Sequence, residues 1–508
     1  MPENTSLAPG VDADAQRLSD LGYKSDFKRD MSLWANFALG FTYLSPVVGV
    51  YTLFATSLVT GGPPMIWSFV IAGVGQLLVA LVFSEVVAQF PVAGGVYPWA
   101  RRLWGRKWGW MTGWVYLLAL LSTISAVAYG AGPYVAALVG FESSTGTTVG
   151  CALVLLLIAT AINLGGTKVL SAAAVFGFAA EIVGAIVVGL WLLIAHRHHN
   201  LGVLFQSFGA EGNHSYVYAF LAAGLIGVFQ YYGFEACGDV AEEVPNPGRS
   251  IPKSMRRTIY IGGSAAIGVC LALILSVTDF GAVISGQNAD PVSSVLTEAF
   301  GTVGARVVLA IVLISFLSCA MSLQAAASRL TYAFARDKMI VGSRLLSRFS
   351  SRLRVPPYSL LLAAVLPGVI IVASLWSQDA LTKIISFSTL GIYLAFQMVV
   401  LAVLRARVRG WRPSGEYRLG RWGLPVAVGA LVYGVAAIVN MVWPRTPDSA
   451  WYDNYIVLIG GVVVVAVGAV YLAVARPHLR SDAPAGDALA KDAEPKPDEV
   501  APMVTDPA

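Results

Sequence analysis

Charge is what this 508-residue chain has least of: only 12% of its residues are Asp, Glu, Lys or Arg. A soluble surface of this size needs two to three times as much, so an ordinary water-soluble globule is excluded. Cysteine is nearly missing as well. Cys151, Cys237, Cys270 and Cys319 lie in or beside apolar stretches without metal-ligand spacing, and they read as packing residues. No Walker-type glycine loop occurs, and no His/Cys/Asp constellation or nucleophile–base pair falls within the apolar stretches. These absences remove nucleotide-driven pumping, metal chemistry and enzymatic catalysis from the reading, and no cofactor is expected.

What is abundant is apolar sequence, 56% of the chain, with a mean hydropathy of +0.69. That composition belongs to a polytopic membrane protein, with the lipid bilayer as its solvent. Spans of about 20 apolar residues fit at 33–58, 64–90, 108–138, 147–164, 170–195, 217–236, 257–279, 304–335, 357–376, 381–404, 423–443 and 454–475. The fold class is therefore all-α, with twelve transmembrane helices.

Charge placement tests that count. With the amino terminus inside, the inner loops hold nearly all the basic residues, from Lys24, Lys28 and Arg29 through Arg101 and Arg102 to Arg405 and Arg412. The outer loops and adjoining helix ends offer only Arg197, Arg306, Lys383 and Arg445. Under the positive-inside rule both termini are cytoplasmic and the membrane is the cytoplasmic (plasma) membrane. The sequence pI near 8.9 follows from this orientation, and nucleic acid is not an expected partner. Residues 1–31 read as a cytoplasmic tail with no cleavable signal peptide, 32–476 as the helical domain, and 477–508 as a disordered cytoplasmic tail rich in Ala, Pro, Asp, Glu and Lys.

Two spans contain helix breakers. The first carries LSPVVGVY, with Pro46 and Gly49 near its middle; the sixth carries GVFQYYGFE, with Gly227 or Gly233 as the break. The sixth then acquires a carboxylate, Glu235. Backbone groups freed at such breaks need a protein-lined or watery cavity, because hydrocarbon offers them no partner. The breaks are five spans apart, the relation expected of a five-plus-five inverted repeat with discontinuous first members. Half-helix amino termini favour an anion and freed carbonyls a cation, so a zwitterion such as an amino acid satisfies both.

The segment GFEACGDVAEEVPNPGRSIPKSM resembles the helix 6 to 7 signature of the amino acid–polyamine–organocation permease superfamily. SEVVAQFPVAGGVYPWARRLWGRKWGWMTGW is similar to its region after helix 2, and SRLTYAFARDKMI to the end of its helix 8. The resemblance runs from about Ser32 to the twelfth span, and the bacterial amino acid/choline branch is the nearest in pattern. It implies the sodium:leucine transporter-like fold, with helices 11 and 12 appended to the repeat.

Site roles follow from the resemblance, residue by residue. Phe229 falls where these permeases place the aromatic that covers bound substrate, with Gln230, Tyr231 and Gly233 beside it; one of Gln230 and Tyr231 is expected to face the site. Glu235 matches the glutamate just past the break, either a proton carrier or a fixed hydrogen-bond acceptor. Val47, Val48 and Gly49 stand where relatives show small residues around a substrate carboxylate. The two valines favour a slim substrate end, such as that of an ω-amino acid, over a branched α-carbon. Glu181 is alone among apolar residues in the fifth span, where some relatives have a lysine. A protonatable carboxylate, a carboxylate–cation site and a ligand for a cationic substrate portion all stay open for it. Glu85, Arg101 and Arg102 form a candidate ionic latch, with Arg329 and Asp337 sharing its region. Glu242, Glu243, Pro245, Asn246 and Pro247 are expected to shape a turn.

The function implied is secondary active transport of an amino acid or related amine by alternating access, with protons as the driving ion. An exchanger, or a transporter of choline, γ-aminobutyrate or polyamine, is the alternative within transport. A non-transporting amine sensor is the alternative outside it, although neither tail carries an output domain.

Overall fold

The computed structural model describes residues 9–489 except 25, 143, 378–379 and 446–449. Among the described residues, eleven helices are long and apolar enough to cross a membrane. They run Leu33–Gly61, Pro63–Gln89, Arg106–Val139, Thr145–Leu164, Thr167–Ala195, Pro247–Ser276, Pro291–Arg336, Pro357–Trp376, Ala380–Val408, Gly420–Val442 and Ile456–Ala475. The remaining expected span, the sixth, is a shorter apolar helix, Tyr216–Gln230, continued past a break by the single turn Ala236–Asp239. Twelve spans are thus assembled from eleven long helical runs, the first of them interrupted at Ser45, and one shorter interrupted helix.

Burial sorts these spans into a centre and a rim. The first span has 94% of its most apolar window buried and the third 83%, whereas the twelfth has 6% and the eleventh 22%. The rim spans are the more apolar, with mean hydropathies of 2.0 for the eleventh and 2.7 for the twelfth against 1.5 and 1.7 for the first and third, because they turn Val, Leu and Ile toward lipid, which solvates them as well as a core would. Exposed residues such as Ile194, Trp376 and Val474 belong to that lipid belt.

Two span boundaries differ from the sequence reading. The seventh span starts at Pro247, not 257, because Asn246 takes a left-handed conformation (φ 46°) and Pro247 opens the helix at its first position. Arg249, Lys253, Arg256 and Arg257 therefore lie on a helix. The eighth helical run starts at Pro291, but Gly301 (φ 67°, ψ 177°) divides it, and the expected start at 304 marks the beginning of its second part.

Residues 477–489 depart from the disorder expected after 477. They include a helical turn, Pro477–Arg480, and pack onto the arginine-rich end of the bundle. The Gly486 amide donates to the Arg101 carbonyl (3.0 Å), Arg106 Nε to the Ala483 carbonyl (3.2 Å), and Arg102 pairs with Asp487. The Arg102 and Arg106 side chains and the Arg101 carbonyl hold this segment, with Ala488 packed against the core. Arg102 also donates to the Leu21 carbonyl, so the chain's two end segments meet on one side of the bundle. Residues 1–8 and 490–508, parts of the two expected tails, lie outside the described residues.

Candidate functional site

The first span stops at Leu44 and restarts at Pro46, with Ser45 between them at φ 41°, ψ 93°. Proline suits this restart: it lacks an N–H, and the first position of a helix has no carbonyl to receive one. The Ser45 hydroxyl accepts the Val48 amide (3.1 Å), which caps the second half in the manner of an N-cap serine. Gly49, expected at the break, sits instead inside the second half. A Cβ on it would collide with the Gln230 side-chain amide, so its role is to admit that side chain.

The sixth span ends its helix at Gln230 and resumes at Ala236. Gly233 has φ +117°, and a Cβ there would stand 2.6 Å from the Leu44 amide nitrogen. Only glycine fits both the conformation and the approach. Gly227 is not a break; it lies within a helix and packs on the backbone of Ser68. The two interruptions therefore touch. Gln230 Nε2 donates to the Leu44 carbonyl (3.0 Å), an acceptor freed by the first break, and to the Ser45 carbonyl (3.1 Å), which also accepts the Gly49 amide. The Cys319 thiol donates to the Tyr43 carbonyl (3.3 Å), so this cysteine, read from sequence as packing, also serves the break.

Each break meets a buried carboxylate. Glu181 is fully buried; its Oε1 accepts the Ser45 hydroxyl and the Val47 amide (3.2 Å). Directly after Glu181 the fifth span widens into a π-helical stretch, Val183–Val188, a distortion found often at functional positions. Glu235 accepts the Gly233 amide through Oε2 (2.7 Å) and the Tyr116 hydroxyl through Oε1 (3.3 Å). Tyr116 also lies 3.1 Å from Asp239 Oδ2. Glu235 and Asp239 are both fully buried one helical turn apart, joined by one phenol.

The fold brings several of the residues singled out in the sequence together at the two breaks. Val47, Val48, Gly49, Gln230, Gly233, Glu181 and Glu235 line the paired breaks, and the buried Phe229 ring stands edge-on to Tyr232 at 5.6 Å. Tyr231 does not join them. Its hydroxyl donates to the Gly263 carbonyl (3.3 Å) and its ring packs on Phe69, because one step of helix turns it toward spans two and seven. The pocket for a slim carboxylate at Val47 and Val48 is also revised: both amides are already engaged, by Glu181 and Ser45. Asp239, Tyr116 and Ser45 were missed. A serine before proline at a helix start, and a carboxylate four residues after Glu235, were the signals available for two of them.

The single latch read from sequence resolves into separate ion pairs. Glu85 pairs with Arg407 of span ten and accepts the Leu419 amide (2.8 Å), not Arg101 or Arg102. Arg101 pairs with Asp337, with Tyr23 and Tyr97 on the same cluster. Arg102 meets Asp487. Arg329 pairs with Glu243 (2.8 Å) and Arg336 with Glu242 (3.0 Å), so two residues expected to shape a turn are instead charged partners of span eight. Glu243 further accepts the Thr167 hydroxyl (2.5 Å) at the start of span five. Long-range ion pairs between distant segments carry no local sequence pattern, which is why the partners were misassigned.

The family model described as Amino acid permease matches residues 31–467. The Arabidopsis thaliana amino-acid permease BAT1 is 27% identical over 492 residues, covering 91% of this chain and 95% of that protein. Its Oryza sativa subsp. japonica homolog is also 27% identical, over 501 residues, with the same coverages. The GABA-specific permease of Saccharomyces cerevisiae is 23% identical over 483 residues, covering 90% of this chain and 84% of that protein.

Proposed function

Because the chain belongs to the amino acid permease family, and so is a membrane transporter for amino acids and not an enzyme, we propose that it works by proton-coupled alternating access around the paired breaks. The observation that carries this reading is the contact of two interrupted helices, with Gly233 against Leu44 and Gln230 on the freed Leu44 carbonyl. Broken helices joined at their interruptions form a hinge as well as a binding site. Phe229 is the lid.

The ion pairs supply the latch. Glu85 of span two and Glu242 and Glu243 after span six each bind an arginine of span eight or ten. If spans one, two, six and seven rock against the others, these contacts break together, which opens the arginine-rich end. That end is assigned to the cytoplasm of a plasma membrane, with both termini there. Breaking one partner of a buried pair leaves an uncompensated charge, so the latch opens as a set.

Glu235, Tyr116 and Asp239 are assigned to the proton. Two buried carboxyls sharing one phenol can hold one proton between them and release it when the site is hydrated. The test is counterflow and uptake in proteoliposomes. A pH gradient, inside alkaline, should drive accumulation above equilibrium, and collapsing it should leave exchange. Exchange that ignores the gradient would remove the coupling; no exchange of any amino acid or amine would favour the sensor alternative.

A further inference from the structure

The amino end of the second half of span one is where a substrate anion would be received if its N–H groups were free. They are not. Pro46 has no N–H, Val47 donates to Glu181 (3.2 Å), Val48 to the Ser45 hydroxyl (3.1 Å) and Gly49 to the Ser45 carbonyl (3.2 Å). The Ser45 hydroxyl proton is spent on Glu181 as well. The protein thus brings its own carboxylate, from span five, to the position a substrate carboxylate would take.

Next to this amino end the groups left without partners are acceptors, while the unpartnered hydroxyls of Tyr43 and Tyr232 stand on the side of the sixth break. Glu181 Oε2 and Gln230 Oε1 are buried without hydrogen-bond partners among the described residues. Glu181 Oε1 sits on Val47, and Gln230 Oε1 lies against Gly49, two residues further along the same helical turn. A fully buried carboxylate oxygen and amide oxygen left unpaired cost free energy that a suitable ligand would recover. Such a ligand brings positive charge and at least two N–H donors.

We propose that Glu181 Oε2 and Gln230 Oε1 bind the primary ammonium group of the substrate, and that no substrate carboxylate is recognised at the amino end of the broken first span. The selected class is therefore primary amines, with a carboxylate elsewhere on the molecule contributing little to binding. A quaternary ammonium has the charge but no N–H, and an N-acylated amine has neither the charge nor the donors, so both are rejected. The inference rests on the transport reading for its biological meaning, but binding can be measured apart from transport.

The experiment is thermal stabilisation of the purified full chain by four probes: γ-aminobutyrate, propylamine, N-acetyl-γ-aminobutyrate and the N-trimethyl derivative of γ-aminobutyrate. Propylamine, which lacks the carboxylate, should bind within about threefold of γ-aminobutyrate, whereas the N-acetyl and N-trimethyl compounds should be weaker by about tenfold or more. Glu181→Gln should weaken both primary amines by a similar factor. The wild-type series decides the matter even if that variant fails to fold. Equal binding of the N-acetyl compound, a tenfold preference for γ-aminobutyrate over propylamine, or no stabilisation by either primary amine would overturn the proposal. Binding in the expected order without counterflow would sink the transport reading alone. Counterflow of the N-acetyl compound as fast as that of γ-aminobutyrate would sink the ammonium site alone.

Discussion

In the first span the carboxylate that meets the interrupted helix comes from another span, Glu181 of the fifth; in the sixth it comes from two residues further along the same chain, Glu235 onto the Gly233 amide. The hydrogen-bond chemistry is the same, but the mechanical consequence differs. A bond inside one segment travels with that segment when the spans shift. The Glu181 contact must instead break or rotate whenever span one moves against span five. A carboxylate of the first kind shapes a break, and one of the second kind senses its position. Glu235 itself reaches a neighbouring span through Tyr116 of span three, whose hydroxyl also lies against Asp239 of its own span.

The most damaging way to break the comparison is Gly233→Ala. The residue has φ +117°, and its Cβ would meet the Leu44 amide nitrogen at 2.6 Å, in backbone that side-chain motion cannot relieve. Positive φ alone costs roughly 1–3 kcal/mol for a residue with a side chain, and separating the two breaks adds to that. The expected outcome is a large drop in monodisperse yield and melting temperature, and no transport. The corresponding change at Gly49 should be milder, because a Cβ there meets the flexible end of Gln230 and not backbone. A Gly49→Ala variant as damaged as Gly233→Ala would show that the breaks do not differ in tolerance.

Next in size is the pair Glu181→Gln and Glu235→Gln, made separately and followed by uptake with and without a pH gradient. If Glu235 carries the proton with Asp239, its amide variant keeps exchange and loses gradient-driven accumulation, since it cannot release a proton. Glu181→Gln keeps the response to pH but weakens substrate binding by about tenfold, the loss of one charge-assisted contact. Identical phenotypes for the two variants would erase the distinction between shaping and sensing.

How far the sequence disclosed this arrangement depended on the range of the interactions. Helical spans follow from local hydropathy, and all twelve were legible; Pro46 and Gly233 were legible because the backbone rules they break are local too. Gly49 was misread as a breaker because a glycine that admits a neighbouring side chain looks, in sequence, like one that bends a helix. Tyr231 and Gln230 are adjacent and equally polar, and only the helical phase at the break decides which one faces span one. Glu85, Glu242 and Glu243 were visible as charges, but their partners lie 86 to 322 residues away. No pattern in a single sequence connects them. Glu181 was singled out because a lone carboxylate in an apolar span is conspicuous, while its contact with Val47, 134 residues earlier, was not.

The smallest effect is expected from Tyr116→Phe. It removes one hydroxyl that lies 3.3 Å from Glu235 Oε1 and 3.1 Å from Asp239 Oδ2, and leaves the ring, packed near Phe396, unchanged. The lost hydrogen bond to a carboxyl pair is worth about 1–2 kcal/mol, too little to unfold a bundle of this size. Because the Gly233 contact to Glu235 lies within the sixth span, the break itself should keep its shape and substrate affinity should stay within about threefold of wild type, less than half a tenfold step in free energy. What should move is the pH at which transport is half-maximal, since the phenol couples the two carboxyls that share the proton. A shift in that midpoint with unchanged affinity assigns Tyr116 to the proton; a changed affinity with an unchanged midpoint would mean that the outer contact of Glu235 holds the binding site in shape, and that the two breaks are less different than their bonding suggests.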